Sequence, residues 1–252
     1  MLTLTQFTLI KDEAYLSGVP RGQERAIARE YLQCEVLAIL SELPESQHLA
    51  LIDGTGLRLL YDLDRFSEDL DFDHFDKNTH QSIAVFNAVA STLSRRGYRV
   101  SFKQKTKYPE QGGTLVIQDF LFQLGITPHH DETLKIKMEY TTTTSAPSRE
   151  IRVLNRFGFV AQTLTLPLPV LCARKAVTVF ERKRILPRDL YDLTLFFSHR
   201  IAPDLFTLQQ RGIESHSTLR KRIDDLYAQI KPKLPEYEQD LVPLLIHPDH
   251  AK

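Results

Sequence analysis

The chain has little cysteine, no long apolar run and no net charge, and each shortage removes a class of function. Only Cys34 and Cys172 occur among the 252 residues. Both sit in segments that read as apolar helix, so the expectation is two reduced core thiols in a cytoplasmic protein rather than a disulfide framework. No apolar stretch approaches the roughly eighteen residues needed to span a bilayer, and Met1-Leu2-Thr3-Leu4-Thr5-Gln6 lacks the basic start and apolar core of a secretion signal. A membrane partner is therefore not expected. The 32 Lys and Arg balance 32 Asp and Glu, so global charge gives no pointer to nucleic acid. There is no GxSxG, Walker-type or Cys–His nucleophile pattern. His129-His130-Asp131 has no Cys or further His at zinc-ligand spacing. Internal repeats of solenoid length are also missing. What remains is an ordinary globular composition, 42% hydrophobic and 25% charged, long enough for one large domain or two small ones.

Periodicity divides the chain into one helix, a mixed α/β core and a helical C-terminal part. Apolar residues recur at helical spacing over 21–43, and His48 to Ile52 is a short apolar strand. Gly56 to Tyr61 continues as helix after the turn Asp53-Gly54-Thr55. An acidic strand over 69–75 precedes an amphipathic helix over 79–96 that stops at Gly97. Strands over 98–107 and 113–124 are expected to form a hairpin through a Pro109 to Gly113 turn. Leu134 to Tyr140 alternates cleanly, and Thr141 to Thr144 with Pro147 reads as a strand end or loop. Pro167 and Pro169 mark the domain boundary, giving a core over 1–166 and a helical domain over 167–252. Helices are expected at about 170–184, 188–199, 203–211, 216–230 and 236–246.

The chemistry concentrates in two segments. In a strand, side chains alternate between faces, so Asp69, Asp71 and Asp73 share one face while Leu70 and Phe72 share the other. Two carboxylates about 4 Å apart repel by roughly 4 kcal/mol at an effective dielectric near 20. A divalent cation turns that repulsion into binding, since Mg²⁺ takes oxygen ligands and bridges carboxylates to phosphates. The helix start after Asp53-Gly54-Thr55 presents backbone N–H groups suited to a phosphate. A glycine-containing turn at a helix start followed by Asp-x-Asp on the next strand is the layout of a nucleotidyltransferase. Glu139 on the polar face of its strand is the candidate third carboxylate, or else a partner of Lys135 or Lys137. Asp73, at the strand end, is expected to be solvated or to support the ligands rather than bind the metal.

Two motifs carry a family resemblance. Gly54-Thr55-Gly56-Leu57-Arg58-Leu59-Leu60-Tyr61 with Arg65-Phe66-Ser67-Glu68-Asp69-Leu70-Asp71-Phe72 resembles the first motif of the AbiEii/AbiGii toxins. These are DNA polymerase β-like nucleotidyltransferases of bacterial type IV toxin–antitoxin and phage-defence systems. Leu171-Cys172-Ala173-Arg174-Lys175-Ala176, Arg182 and Arg188-Asp189-Leu190-Tyr191-Asp192-Leu193 are similar to the family's third motif. The strand Leu134 to Tyr140 stands in the place of the second. The resemblance covers roughly 45–200. One departure is Asp53, where the family commonly has glycine; it adds negative charge near the presumed phosphate site.

The resemblance implies an α+β fold with a polymerase β-like core and mixed sheet, followed by a helical C-terminal region. It implies Asp69, Asp71, Lys175 and Asp189 as catalytic residues. Gly54, Thr55, Arg58, Ser67 and Arg182 would serve the nucleotide, Asp69, Asp71 and Glu139 the metal, and Asp192 the fold. The cofactor would be Mg²⁺, with Mn²⁺ as its substitute, and the substrate an NTP. The expected reaction is NMP transfer to the 3′ end of tRNA, blocking translation, with a winged-helix antitoxin as cognate partner. Transfer to a protein hydroxyl and a catalytically silent nucleotide-binding module are the alternatives. Three basic clusters could meet a polynucleotide: Arg95, Arg96, Arg99, Lys103, Lys105 and Lys107; Arg182, Lys183, Arg184 and Arg188; and Arg220, Lys221 and Arg222. The alternative for each is a solvated face.

Overall fold

The computed structural model describes residues 1–75, 80–107, 110–143 and 148–251. Its contacts divide the chain into two compact units, Met1–Thr165 and Leu166–Lys252.

The first unit is built on a mixed sheet. Its strands are β1 (Leu49–Ile52), β2 (Leu70–His74), β3 (Arg99–Lys107), β4 (Glu110–Gln118), β5 (Leu134–Thr142), β6 (Glu150–Arg156) and β7 (Phe159–Thr165). They lie in the order β3-β4-β5-β2-β1-β7-β6. β1 is antiparallel to β2 and parallel to β7, and β2 is parallel to β5. A central strand has neighbours on both edges and cover on both faces, which is why Leu49-Ala50-Leu51-Ile52 is apolar throughout and wholly buried. Around the sheet stand α1 (Leu4–Leu16), α2 (Glu24–Glu42), α3 (Asp53–Tyr61), α4 (His80–Arg95) and the short α5 (Phe120–Gln123). Phe72 and Phe86 meet at 6.0 Å, joining the apolar face of β2 to α4.

α2 buries polar groups as well as its apolar stripe, and its buried Glu30, Gln33 and Glu35 each have a partner. Glu35 accepts the Tyr98 hydroxyl at 2.6 Å. Glu30 takes the Arg58 guanidinium, Nε to Oε2 at 2.8 Å. Burial of such groups is tolerated only when they are paired and hydrogen-bonded.

The second unit is helical: α6 (Leu168–Glu181), α7 (Pro187–Ser198), α8 (Leu205–Gln209), α9 (His216–Ile230) and α10 (Leu234–Leu241), with short 3-10 turns near the end. Proline fits the first turn of a helix because its missing N–H has no intrahelical partner there. α6 and α7 both begin this way. Among the described residues no helix is long and apolar enough to cross a membrane. Cys34 and Cys172 are both free and buried, and burial pushes the Cys172 thiol up to about 12.

Several expectations shift. α1 and the strands β6 and β7 go unassigned in the sequence reading. Gly112 and Gly113 lie inside β4, opposite Glu139 and Met138, instead of in a turn; Pro109 lies outside the described residues, as do Thr144 and Pro147. A Cβ on Gly112 would collide with the Met138 carbonyl, and one on Gly113 with the Lys103 carbonyl. Glycine is therefore required there by close strand approach, not by a turn. β4 ends at Gln118, after which Phe120–Gln123 is helical.

Candidate active site

β2 carries the acidic run into the middle of the sheet. Asp69 lies just ahead of the strand, and Asp71 and Asp73 lie within it. Asp71 pairs in register with Ile52 of β1 on one side and with Glu139 of β5 on the other. Cross-strand partners share a face, so Asp71 and Glu139 point the same way. Asp53 follows Ile52 at the start of α3 with φ 56, the left-handed region that aspartate tolerates better than most residues.

The electrostatic result falls on Asp71. Burial raises its carboxyl from 3.8 to about 7; Asp53 and then Asp69 add to the rise, Lys137 opposes it, and Glu139 contributes further. Glu139 also holds an ion pair with Lys137. Burial pulls the Lys137 ammonium down, but Glu139, Asp69 and Asp71 outweigh it and the net shift is upward. A partly buried group of oxygen donors with one lysine among them is short of positive charge. Such a donor set fits a hard divalent cation. Asp73, in contrast, is 1% exposed and so belongs to the interior rather than to solvent.

The segment leading to Asp69 is fastened at three points. Arg58 Nη1 donates to the Leu63 carbonyl at 3.0 Å, Gln33 Nε2 donates to the Ser67 carbonyl at 3.1 Å, and the Thr55 hydroxyl donates to the Asp69 carbonyl. Arg58 is buried and committed to Glu30 and Leu63, so its charge is spent inside the fold. A Cβ on Gly54 would come within 2.5 Å of Arg65 Nη2 and 2.9 Å of Ser67 Oγ. Arg65 is thus a buried cation set against the turn. Its place in the first motif is visible in sequence, but nothing in the pattern separates it from its neighbours.

In the second unit, Lys175 of α6 is only 5% exposed. Its Nζ stands 3.3 Å from Asp189 Oδ1 and 3.1 Å from Asp192 Oδ2. The two aspartates are three residues apart on α7, which puts them on one face of that helix. Arg182 follows the end of α6, with Nε 3.2 Å from Asp189 Oδ2. That approach is an ion pair by distance, without the direction of a hydrogen bond. The structure therefore gathers Lys175, Arg182, Asp189 and Asp192 into one cluster, and Gly54, Thr55, Ser67, Asp69, Asp71 and Glu139 around another. Arg58 belongs to neither.

A mixed sheet that carries paired carboxylates next to a glycine-containing helix start is the core of a nucleotidyltransferase. Residues 35–249 match the family described as nucleotidyl transferase AbiEii toxin of type IV toxin–antitoxin systems. The chain belongs to this family and is a nucleotidyltransferase. The fold is shared with JHP933 from Helicobacter pylori, with TM-score 0.56 and 21% identity over 92% of this chain and 88% of that one. MenT4, a nucleotidyltransferase toxin from Mycobacterium tuberculosis, matches with TM-score 0.56 and 20% identity over 84% and 70% of the two chains. A further Helicobacter pylori structure, called a putative nucleotidyltransferase, matches with TM-score 0.56 and 23% identity over 86% and 83%. No curated protein shows significant sequence similarity. The polymerase β-like α+β core expected from the motifs is thus the fold observed. Enzymes of this type use an NTP and a divalent metal ion, and the family implies an antitoxin partner.

Proposed function

We propose that this toxin transfers the nucleoside monophosphate of an NTP to the 3′-hydroxyl of a tRNA in a Mg²⁺-dependent reaction, and so blocks translation. The observation that carries the reading is the charge-deficient carboxylate group of Asp69, Asp71 and Glu139 beside the start of α3. Mg²⁺ held by these three would neutralise charge on the triphosphate and acidify the attacking hydroxyl. The backbone N–H groups of Gly54 and Thr55 bind triphosphate oxygens, with the Arg65 guanidinium alongside. Thr55 also holds Asp69 in place through its carbonyl. Ser67 lines the turn. Arg58 acts only as a brace for the segment between Leu63 and Asp69.

In this reading Met1–Thr165 is the catalytic core, and the helical unit contributes Lys175 to triphosphate binding, Asp189 to catalysis and Asp192 to fixing Lys175. Arg182 neutralises Asp189 in the free enzyme and pairs with phosphate when substrate arrives. The toxin acts in the cytoplasm, within phage defence, and is paired with a winged-helix antitoxin. Incubation with each labelled NTP, total tRNA and total protein tests the acceptor. Label should enter RNA and not polypeptide; label confined to polypeptide would overturn the tRNA assignment.

A further inference from the structure

The helical unit holds a basic groove of whose described lining residues only Arg182 has a part in the transfer chemistry described above. It has a volume of about 460 Å³. Lys183 and Arg184, in the bend between α6 and α7, form one wall, and Arg222 and Asp225 of α9 form another. Lys233 and Tyr237 close it at the start of and along α10. Asp225 is the single acid among the described lining residues. Lys183, Arg184, Arg222 and Lys233 are all exposed, so their charges are available to a ligand. Arg182 also lines the groove while its Nε approaches Asp189, which puts the groove directly beside the Lys175 cluster of the same unit.

Two basic stretches separated by about thirty-five residues in sequence thus converge on one concavity. In the first basic cluster Arg96 is drawn to Glu35 and Arg99 to Asp119, while Lys103 and Lys105 stand exposed along β3. Four exposed cations around one concavity, with a single acid among its described lining residues, call for a polyanion.

We propose that this groove binds the phosphodiester backbone of a single-stranded segment of the nucleic-acid acceptor, with Tyr237 as the platform on which a base stacks. The assignment rests on the reading that the acceptor is RNA. Guanidinium groups match phosphate oxygens in a fork geometry. Aromatic side chains set in a basic groove are the recurring device for single strands, because every base has a stacking face. An acidic peptide would be served by the charges but would not use Tyr237.

The test is anisotropy of a short fluorescein-labelled single-stranded RNA on the full chain across a salt series. It compares wild type with Lys183→Gln, Arg184→Gln, Arg222→Gln and Lys233→Gln, singly and combined, and with Tyr237→Ala. For a single strand each phosphate contact contributes about 0.7 to the slope of log affinity against log salt, so the combined variant should lose roughly 3 from that slope. Affinity at moderate salt should fall at least tenfold, and Tyr237→Ala should weaken binding without changing the slope. In the transfer assay these variants should raise KM for RNA and leave KM for NTP unchanged. Photocrosslinking of a bromouridine-containing RNA to Tyr237 gives a readout independent of any variant. Unchanged binding in the combined variant, no binding by wild type, or equal competition by poly-glutamate would each overturn the assignment. Groove-dependent RNA binding without label transfer would contradict the acceptor reading and leave the groove assignment standing. Transfer to RNA that is indifferent to the groove variants would do the reverse.

Discussion

Replacing Asp71 by asparagine should make the metal-free protein more stable at pH 8, although the carboxylate is assigned to catalysis. Its carboxyl is raised from 3.8 to about 7 by burial first, then by Asp53 and Asp69. Between those values the folded state binds more protons at this site than the unfolded chain, so stability falls as pH rises. The contribution is complete below the unfolded value and lost once pH passes 7. A shift of about three units corresponds to a ceiling of about 4 kcal/mol. Asp71 retains some solvent contact, so about half of that, ~2 kcal/mol, is the expected gain from Asp71→Asn at pH 8. For a chain of this size that is roughly 4–8 °C in melting temperature. The assay is thermal unfolding in chelator from pH 4 to 8, wild type beside Asp71→Asn. The two curves should coincide near pH 4 and separate progressively towards pH 8. Parallel profiles, or a variant less stable at pH 8, would refute the argument that uncompensated carboxylates load this site.

The carboxylate strand is legible in sequence because alternation alone puts Asp71 on one face and Phe72 on the other, and the β2–β5 register then brings Glu139 to it. Asp189 and Asp192 are legible as one face of a helix because they stand three residues apart, but their pairing with Lys175 joins α6 to α7 and no local pattern reports it; only the family resemblance singles out Lys175. Arg58 is misread because its partner Glu30 lies 28 residues away on another helix, and no local pattern reports that pairing. α1 escapes notice because only Phe7 of its residues is buried while Leu9 and Leu16 are exposed, so it has no apolar stripe. β6 and β7 turn Ile151, Val153 and Val160 outward, which blurs the inside–outside alternation expected of a strand. The paired glycines of β4 look like a turn until the crossing carbonyls of Met138 and Lys103 are seen.

Three further outcomes follow from the packing. Gly54→Ala places a methyl group against Arg65 and Ser67; it should cost about 1–3 kcal/mol and raise KM for NTP, read by thermal unfolding and steady-state kinetics. Lys175→Met leaves Asp189 and Asp192 buried without their shared cation. It should cost about 3–5 kcal/mol in denaturant unfolding, with part recovered by adding Asp192→Asn. Arg58→Met strips Glu30 of its closest partner and should destabilise by about 3 kcal/mol. Because Arg58 braces the segment and does not touch nucleotide, the residual folded enzyme should keep its KM for NTP.

The most direct test of the central claim is transfer of label from an α-labelled NTP to purified tRNA, run with Mg²⁺ and with chelator on wild type, Asp69→Asn and Asp71→Asn. The account predicts label at the tRNA 3′ end with wild type and Mg²⁺ only, and none with either variant, while circular dichroism shows both variants folded. Undiminished label in a folded Asp71→Asn protein, or in chelator, would contradict it.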